Sequence, residues 1–300
     1  MILPFRIARA GRTALVAIAA LLAVDAVGRA AEGLGVFPDS SRIVSIGGSV
    51  TEIVYALGAE KRLVARDSTG LYPEAAVALP DVGYMRGLSP EGVLSVNPSG
   101  ILAVEGSGPK EAVDVLKKAS IPFIEVPETF DREGILAKID IVGKALGEDA
   151  RASQLRASVD ADLRAAENLT AGLTERSRVL FILSLEGGKI LGSGAGTAAN
   201  GIIALAGGVN AVEGFTGYKQ LSDEAVLTAK PDVILMMDRG GDHSATDAAL
   251  FAHPAISSTP AGQARRLVRM DGGYLLGFGP RTAAAVRELA AALYGDKIEN

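Results

Sequence analysis

The 300-residue chain contains no cysteine. That excludes disulfides, thiolate metal sites, cysteine nucleophiles and the acylated N-terminal cysteine of a lipoprotein. Histidine is nearly absent too. His243 and His253 are the only two, they lack helical i, i+4 spacing, and a zinc-type centre normally draws on several His with Asp or Glu. No G-x-S-x-G and no H-E-x-x-H occurs, so no catalytic constellation is visible and the chain reads as a non-enzyme. Aromatic residues make up only 5%, so any large apolar ligand must be walled partly by Leu, Met, Val and Gly. Basic clusters are missing as well. The formal charge is −5, which argues against nucleic acid and anionic membrane surfaces as partners.

The longest uncharged apolar run, residues 13–24, is short of the roughly 20 residues a membrane span needs. It follows Arg6, Arg9 and Arg12 and precedes the small residues Gly28 and Ala30. This is the pattern of a cleaved secretory signal over residues 1–30. Removing it takes away four Arg and one Asp, and the charge becomes −8. With no cysteine to acylate, the mature chain is expected to be free in the periplasm of a double-membraned bacterium, not membrane-embedded.

Beyond the leader, short apolar strands alternate with helices, the pattern of α/β units on a largely parallel sheet. Strands are predicted at 42–48, 63–65, 100–104 and 123–126. Helices are predicted after residue 49, with Ser49 and Glu52 as a capping box, and over 89–96, 111–119 and 131–146. A helix over 149–169 has no Gly or Pro. Its apolar residues Leu155, Val159, Leu163 and Ala166 form only a narrow stripe, which suits a rod joining two lobes. Strand and helix signals then restart at 178–184, 200–206 and 233–236, and a closing helix spans 281–293.

An internal repeat organises this pattern. Residues 88–102 read LSPEGVLSVNPSGIL and residues 221–235 read LSDEAVLTAKPDVIL. Eight of the fifteen positions are identical at a constant offset of 133. Each copy reads as a capped helix, a proline turn and a buried strand. The expected fold class is α/β, with two Rossmann-like lobes over 38–148 and 177–300 joined by a single long helix within 149–172.

That layout resembles the helical-backbone class of binding proteins of ABC importers, which carry cobalamin, siderophores or haem. Within the class, GYMRGLSPEG at 83–92 and LLGFGPR at 275–281 resemble the haem-binding subfamily. The resemblance implies a haem carried between the lobes, with the Tyr84 phenolate on the ferric iron. Ferric iron is a hard acid and tyrosine is a known haem ligand. A free phenol ionises only near pH 10, so the iron must displace its proton. Arg86 resembles the family's partner arginine. Residues i and i+2 of an extended loop point the same way, so Tyr84 and Arg86 can share one target. Arg239, after the strand PDVILMMD, matches an arginine that faces the haem, and Arg66, after LVA, occupies the corresponding region of the first lobe. Ends of α/β strands are where such crevices bind ligands. Glu91 and Glu224, equivalent acids of the two repeats, match the surface glutamates that dock onto the permease, and through it the ATPase.

His243 remains a candidate second axial ligand. Some members carry a histidine after the first strand of the second lobe and stack two haems. Here that region reads FILSLE at 181–186, so one haem per monomeric chain is expected. A ferric siderophore or cobalamin is the alternative cargo within the class, and a haem-degrading enzyme or a sensory module lies outside it. The glycine-rich stretch at 192–196 lacks G-x-G-x-x-G spacing and a following Walker lysine, so it reads as a loop and not as a nucleotide cradle.

Overall fold

A computed structural model of the chain describes residues 35–238 and 245–298. The leader over 1–30, Arg239 and His243 lie outside the described residues. The first half alternates as its sequence implies. Strand β1 (Ile43–Ile46) leads into helix α1 (Gly48–Ala56), then β2 (Leu63–Arg66), α2 (Pro90–Leu94), β3 (Gly100–Val104), α3 (Lys110–Lys118), β4 (Phe123–Val126) and α4 (Arg132–Leu146). All four strands are parallel, in the order β2-β1-β3-β4. Every residue of β1 and β3 is buried. Helices cover both faces of such a sheet, so its central strands are apolar runs without alternation.

Helix α5 (Asp149–Asn168) follows. Its 20 residues reach about 30 Å. Ala152, Val159, Leu163 and Ala166 are its buried face, and Leu155 packs at its edge. This stripe rests on α4 of the first half and on the last helix of the second. A Cβ on Gly143 would collide with that of Ala152, so glycine sets the closeness of α4 to α5. Polar ties flank the stripe: Arg132 Nη1 donates to Asp160 Oδ1 at 2.6 Å, and Arg287 Nη2 donates to the Asp162 carbonyl at 3.0 Å. No helix among the described residues is long and apolar enough to cross a membrane.

The second half contains β5 (Arg178–Glu186), β6 (Lys189–Ser193), α6 (Ala198–Leu205), β7 (Val209–Asn210), β8 (Tyr218–Leu221), α7 (Asp223–Ala229) and β9 (Val233–Asp238). After these come α8 (Asp247–Ala252), α9 (Pro254–Ser257), α10 (Pro260–Gln263), β10 (Leu267–Asp271), α11 (Gly272–Leu276) and α12 (Thr282–Tyr294). The sheet order is β10-β9-β5-β6-β8, with β7 added beside β5. Strands β10, β9 and β5 are parallel, whereas β6 runs antiparallel to both β5 and β8. The sequence reading gave no antiparallel strands here. The overlooked signal is Gly187-Gly188, where both residues have positive φ (56° and 75°), the requirement of a two-residue hairpin turn whose twist matches its strands. Along β5, Val179 and Phe181 face a core that runs through both halves, and Leu180 and Ile182 face a second core under α7 and α9.

The sequence repeat is a structural repeat. Ser89 Oγ accepts from the Gly92 N–H at 3.3 Å, and Ser222 Oγ accepts from the Ala225 N–H at 3.2 Å. These are equivalent N-caps on α2 and α7. Val93 and Val226 are fully buried, as are Ile101 with Ile234 and Leu102 with Leu235. Asn97 and Lys230, also 133 apart, both turn the chain in the left-handed region, at φ 49° and 43°.

The proposed capping box does not form. Helix α1 starts at Gly48 with Gly47 as N-cap and no side-chain cap, and Ser49 is buried. Glu52 points elsewhere, as described below. The β1–α1 turn is secured by buried Asp67 instead. Its carboxylate accepts the Gly47 N–H at 2.9 Å, the Thr69 N–H at 3.1 Å and the Thr69 hydroxyl at 2.8 Å. Burial nevertheless pushes the Asp67 carboxyl above the usual carboxylate range, with those donors opposing it.

Two outcomes are expected. A lysine in the left-handed region costs about 1–2 kcal/mol, and glycine there adds about 0.5–1 kcal/mol of chain entropy to the unfolded state. Lys230→Gly should therefore raise stability in urea titrations by up to about 1 kcal/mol, and Asn97→Gly by less, because asparagine tolerates this region. For Asp67 the raised folded-state value means that its proton-linked stability is complete below the unfolded value of 3.8 and is lost as pH rises through the folded value. The stability of wild type minus that of Asp67→Asn should therefore increase as pH falls toward 4, measured by urea unfolding at stepped pH.

Candidate functional site

The loop carrying Tyr84 is held from below. Gly83 adopts φ 100°, and its N–H donates to Asp81 Oδ1 at 2.8 Å while its carbonyl accepts from Ser68. Met85 is 8% exposed, and the Gly108 N–H donates to its carbonyl at 2.8 Å. With Met85 turned into the core, its neighbours turn out. Tyr84 is 47% exposed, and Arg86 Nη1 donates to its hydroxyl oxygen at 3.1 Å. The i, i+2 pairing expected from sequence is therefore present. A phenol and a guanidinium converge on one exposed point, fixed by a buried methionine between them.

Arg86 also acts on groups across from it. Its charge favours the ionised forms of Glu128 and of Tyr218 on β8. Arg86 thus lies within electrostatic reach of one group in each half. Lys138, fully buried, forms an ion pair with Glu128 and donates to the Phe278 carbonyl at 3.1 Å. Burial pushes the Glu128 carboxyl up and the Lys138 ammonium down, and their mutual attraction opposes both. Phe278 sits at φ 49° and packs edge-on against Phe130, 5.2 Å between centroids.

The LLGFGPR segment forms the junction between the halves. Glu52 Oε1 accepts the backbone N–H of Arg281 at 2.8 Å, and Oε2 accepts Nε at 3.0 Å. The guanidinium lies over the Tyr72 ring at 3.4 Å and near that of Tyr274 at 5.4 Å. Burial raises the Glu52 carboxyl against the pull of Arg281. Sequence reading took this acid for a capping residue. Only its span of 229 residues to Arg281 reveals its use.

Arg66 does not join Tyr84 and Arg86. It is 6% exposed. Its Nη1 donates to Asp81 Oδ2 at 2.9 Å and to the Asp67 carbonyl at 3.0 Å, and its Nε donates to the Ala76 carbonyl. The expectation that it faces a ligand is corrected: its donors stitch the Tyr84 loop to β2. Glu91 and Glu224 are exposed on the first turns of α2 and α7. The Ser89 hydroxyl donates to Glu91 at 2.7 Å and holds its carboxyl below the usual range. His253 lies far along the chain beside α7, with Nε2 3.0 Å from the Gly188 carbonyl. A hollow lined by Phe130, Glu167, Arg176 and Leu205 lies at the far end of α5 and contains neither Tyr84 nor Arg86.

The similarity to known proteins follows the same outline. The chain is similar to the periplasmic heme-binding protein BhuT, solved in complex with two hemes, at 41% identity and a TM-score of 0.81 over 85% of this chain and 98% of that one. It is also similar to apo RhuT, a periplasmic heme-binding protein from Roseiflexus sp. RS-1, at 38% identity and a TM-score of 0.81 over the same shares. A relative in Bacillus subtilis, the uncharacterized ABC transporter substrate-binding lipoprotein YvrC, is 28% identical over 261 residues, 86% of this chain and 81% of that protein. The family model for periplasmic binding proteins matches residues 43–274, from β1 to α11. That match takes in most of both α/β halves and the whole of α5, and the chain belongs to the periplasmic binding protein family.

Proposed function

We propose that this chain captures haem in the groove faced by Tyr84 and delivers it to an ABC importer, acting in the periplasm as a binding component and not as a catalyst. The observation that carries the reading is the exposed Tyr84 hydroxyl with Arg86 upon it, in a chain 41% identical to a heme-binding protein. In this reading the Tyr84 oxygen binds ferric iron. The phenol O–H bond breaks as the Fe–O bond forms, and the proton leaves with the displaced axial hydroxide as water. Arg86, already on that oxygen, stabilises the resulting charge. The porphyrin's apolar faces supply much of the affinity as they leave water. Arg239 is kept as the second-half partner of a propionate. Arg66 is left out, because it is buried with its Nε and Nη1 donors occupied.

The delivery step draws on the repeat. Residues 38–148 and 177–300 act as two lobes joined through 149–172, and each offers one exposed acid, Glu91 or Glu224, at an equivalent helix start. A permease with basic loops meets both at once. The leader over 1–30 directs export and is removed.

Hemin titrated into the purified protein should give a high-spin ferric phenolate spectrum. Tyr84→Phe should lose that signature and bind at least about tenfold more weakly, a loss of about 1.4 kcal/mol. An unchanged titration would reject the ligand assignment, and displacement of hemin by cobalamin or a ferric siderophore at equal concentration would favour those cargoes. Glu91→Ala with Glu224→Ala should leave hemin affinity unchanged while abolishing stimulation of the importer's ATPase in proteoliposomes.

A further inference from the structure

The Arg281 guanidinium is only partly engaged by the fold. Its Nε donates to Glu52 Oε2 at 3.0 Å, and the backbone N–H of Arg281 donates to Oε1 at 2.8 Å. Nη1 and Nη2, at the outer end of the fork, have no hydrogen-bond partner among the described residues and are not enclosed. The side chain keeps 29% exposure. The guanidinium carbon lies 3.4 Å over the Tyr72 ring and 5.4 Å from that of Tyr274. A guanidinium stacked on a ring and held at Nε has lost much of its freedom before any ligand arrives. Its position is the crevice end of both halves. Glu52 lies in α1, which follows β1, Tyr72 follows β2, and Tyr274 lies in α11, directly after β10. Carboxyl ends of parallel strands are where α/β folds bind ligands. The Tyr72 segment also runs beside the Tyr84 loop. The Ser68 N–H donates to the Gly83 carbonyl at 2.9 Å, and the Val82 N–H donates to the Arg66 carbonyl at 3.0 Å. From Ser68 to Tyr72 the chain reaches at most about 14 Å when fully extended, and the Gly70 N–H on the Asp67 carbonyl shortens that reach. Leu71 and Tyr72 are both exposed, so apolar surface adjoins the free end of the fork.

We propose that Arg281 binds a carboxylate of the cargo through Nη1 and Nη2, with Glu52 and Tyr72 as the positioning residues that hold its fork. This rests on the haem reading above, in which the carboxylate is a propionate. A haem carries two propionates. Arg239 is the partner kept for one, and Arg281 takes the other. No proton moves, since a carboxylate and a guanidinium are both ionised at neutral pH. Glu52 does not compete for the fork, because its side-chain contact is to Nε and leaves the two outer groups open. Parallel N–H bonds from those groups match the two oxygens of a carboxylate, and such a charge-assisted pair is roughly twice as strong as bonds to a neutral acceptor. The rim of cobalamin carries neutral amides, so this feature selects haem over that alternative.

The test titrates the full chain with hemin and with its propionate diamide, which keeps the iron and the ring but lacks both carboxylates, read by absorption. The variants are Arg281→Lys and the double variant Glu52→Gln with Arg281→Met, which leaves no buried carboxylate unpaired. Wild type should bind hemin more tightly than the diamide. That preference should fall about tenfold in the double variant. It should fall by less in Arg281→Lys, which keeps the charge and loses the fork. The ferric phenolate spectrum should persist throughout, because Tyr84 is untouched. An Arg281 that served the fold alone would weaken both ligands equally and leave the preference where it was. Urea unfolding checks that each variant folds, and Arg281→Lys decides the matter if the double variant does not. A folded variant with the wild-type preference, or a wild type that binds the diamide as tightly as hemin, overturns the proposal while the role of Tyr84 stands. If wild type takes up neither ligand, the haem reading falls first and this site with it.

Discussion

The carboxylate of Glu52 and the Arg281 N–H groups that it accepts tie together two halves that also share α5 and one apolar core. The acid belongs to the first helix of the first half, and the arginine directly precedes the last helix of the second. Glu52 is buried and Arg281 half-buried, so removing the arginine would leave a buried carboxylate unpaired. The Tyr72 and Tyr274 rings against the guanidinium fix its plane as well as its position. Lys138 makes a parallel tie a short way off, reaching from α4 to the Phe278 carbonyl. Between these two bonds the LLGFGPR segment is held against the first half.

Rigidity at the groove comes from below, not from the groove residues themselves. Tyr84 and Arg86 are exposed, but each flanks a buried methionine, and the loop under them is tied to Ser68, Arg66 and Gly108. Buried charges tolerate their setting because nearly every oxygen and nitrogen on them is used. Arg66 illustrates the cost of reading such residues by position alone. It stands near a strand end where α/β crevices bind ligands, yet it is buried and its Nε and Nη1 donors are used inside the fold.

Strands β1 to β4, the long helix and the two repeat units were legible because they rest on local signals. These are uninterrupted apolar runs, helical stripes, serine caps and a fifteen-residue duplication. The Tyr84–Arg86 pairing was legible from its spacing, although a turn closed by the Gly87 N–H on the Tyr84 carbonyl, and not the extended loop expected, brings the two side chains together. What escaped depends on distant partners. Glu52 looked like a capping residue until Arg281, 229 residues away, was seen on it. The β5–β6 hairpin was missed although Gly187-Gly188 announces it.

That hairpin breaks the equivalence of the two duplicated units. The first half presents four parallel strands, whereas the second adds β6 in the opposite sense beyond β5 and then β8, which turns back to the direction of β5. Two halves that share a repeat therefore present unlike edges. A flat, pseudo-symmetric molecule entering between them meets a different surface on each side, so front and back cease to be interchangeable. The duplicated scaffold can offer matched handles to a two-fold symmetric receiver while its mouth still imposes a single orientation on whatever it holds.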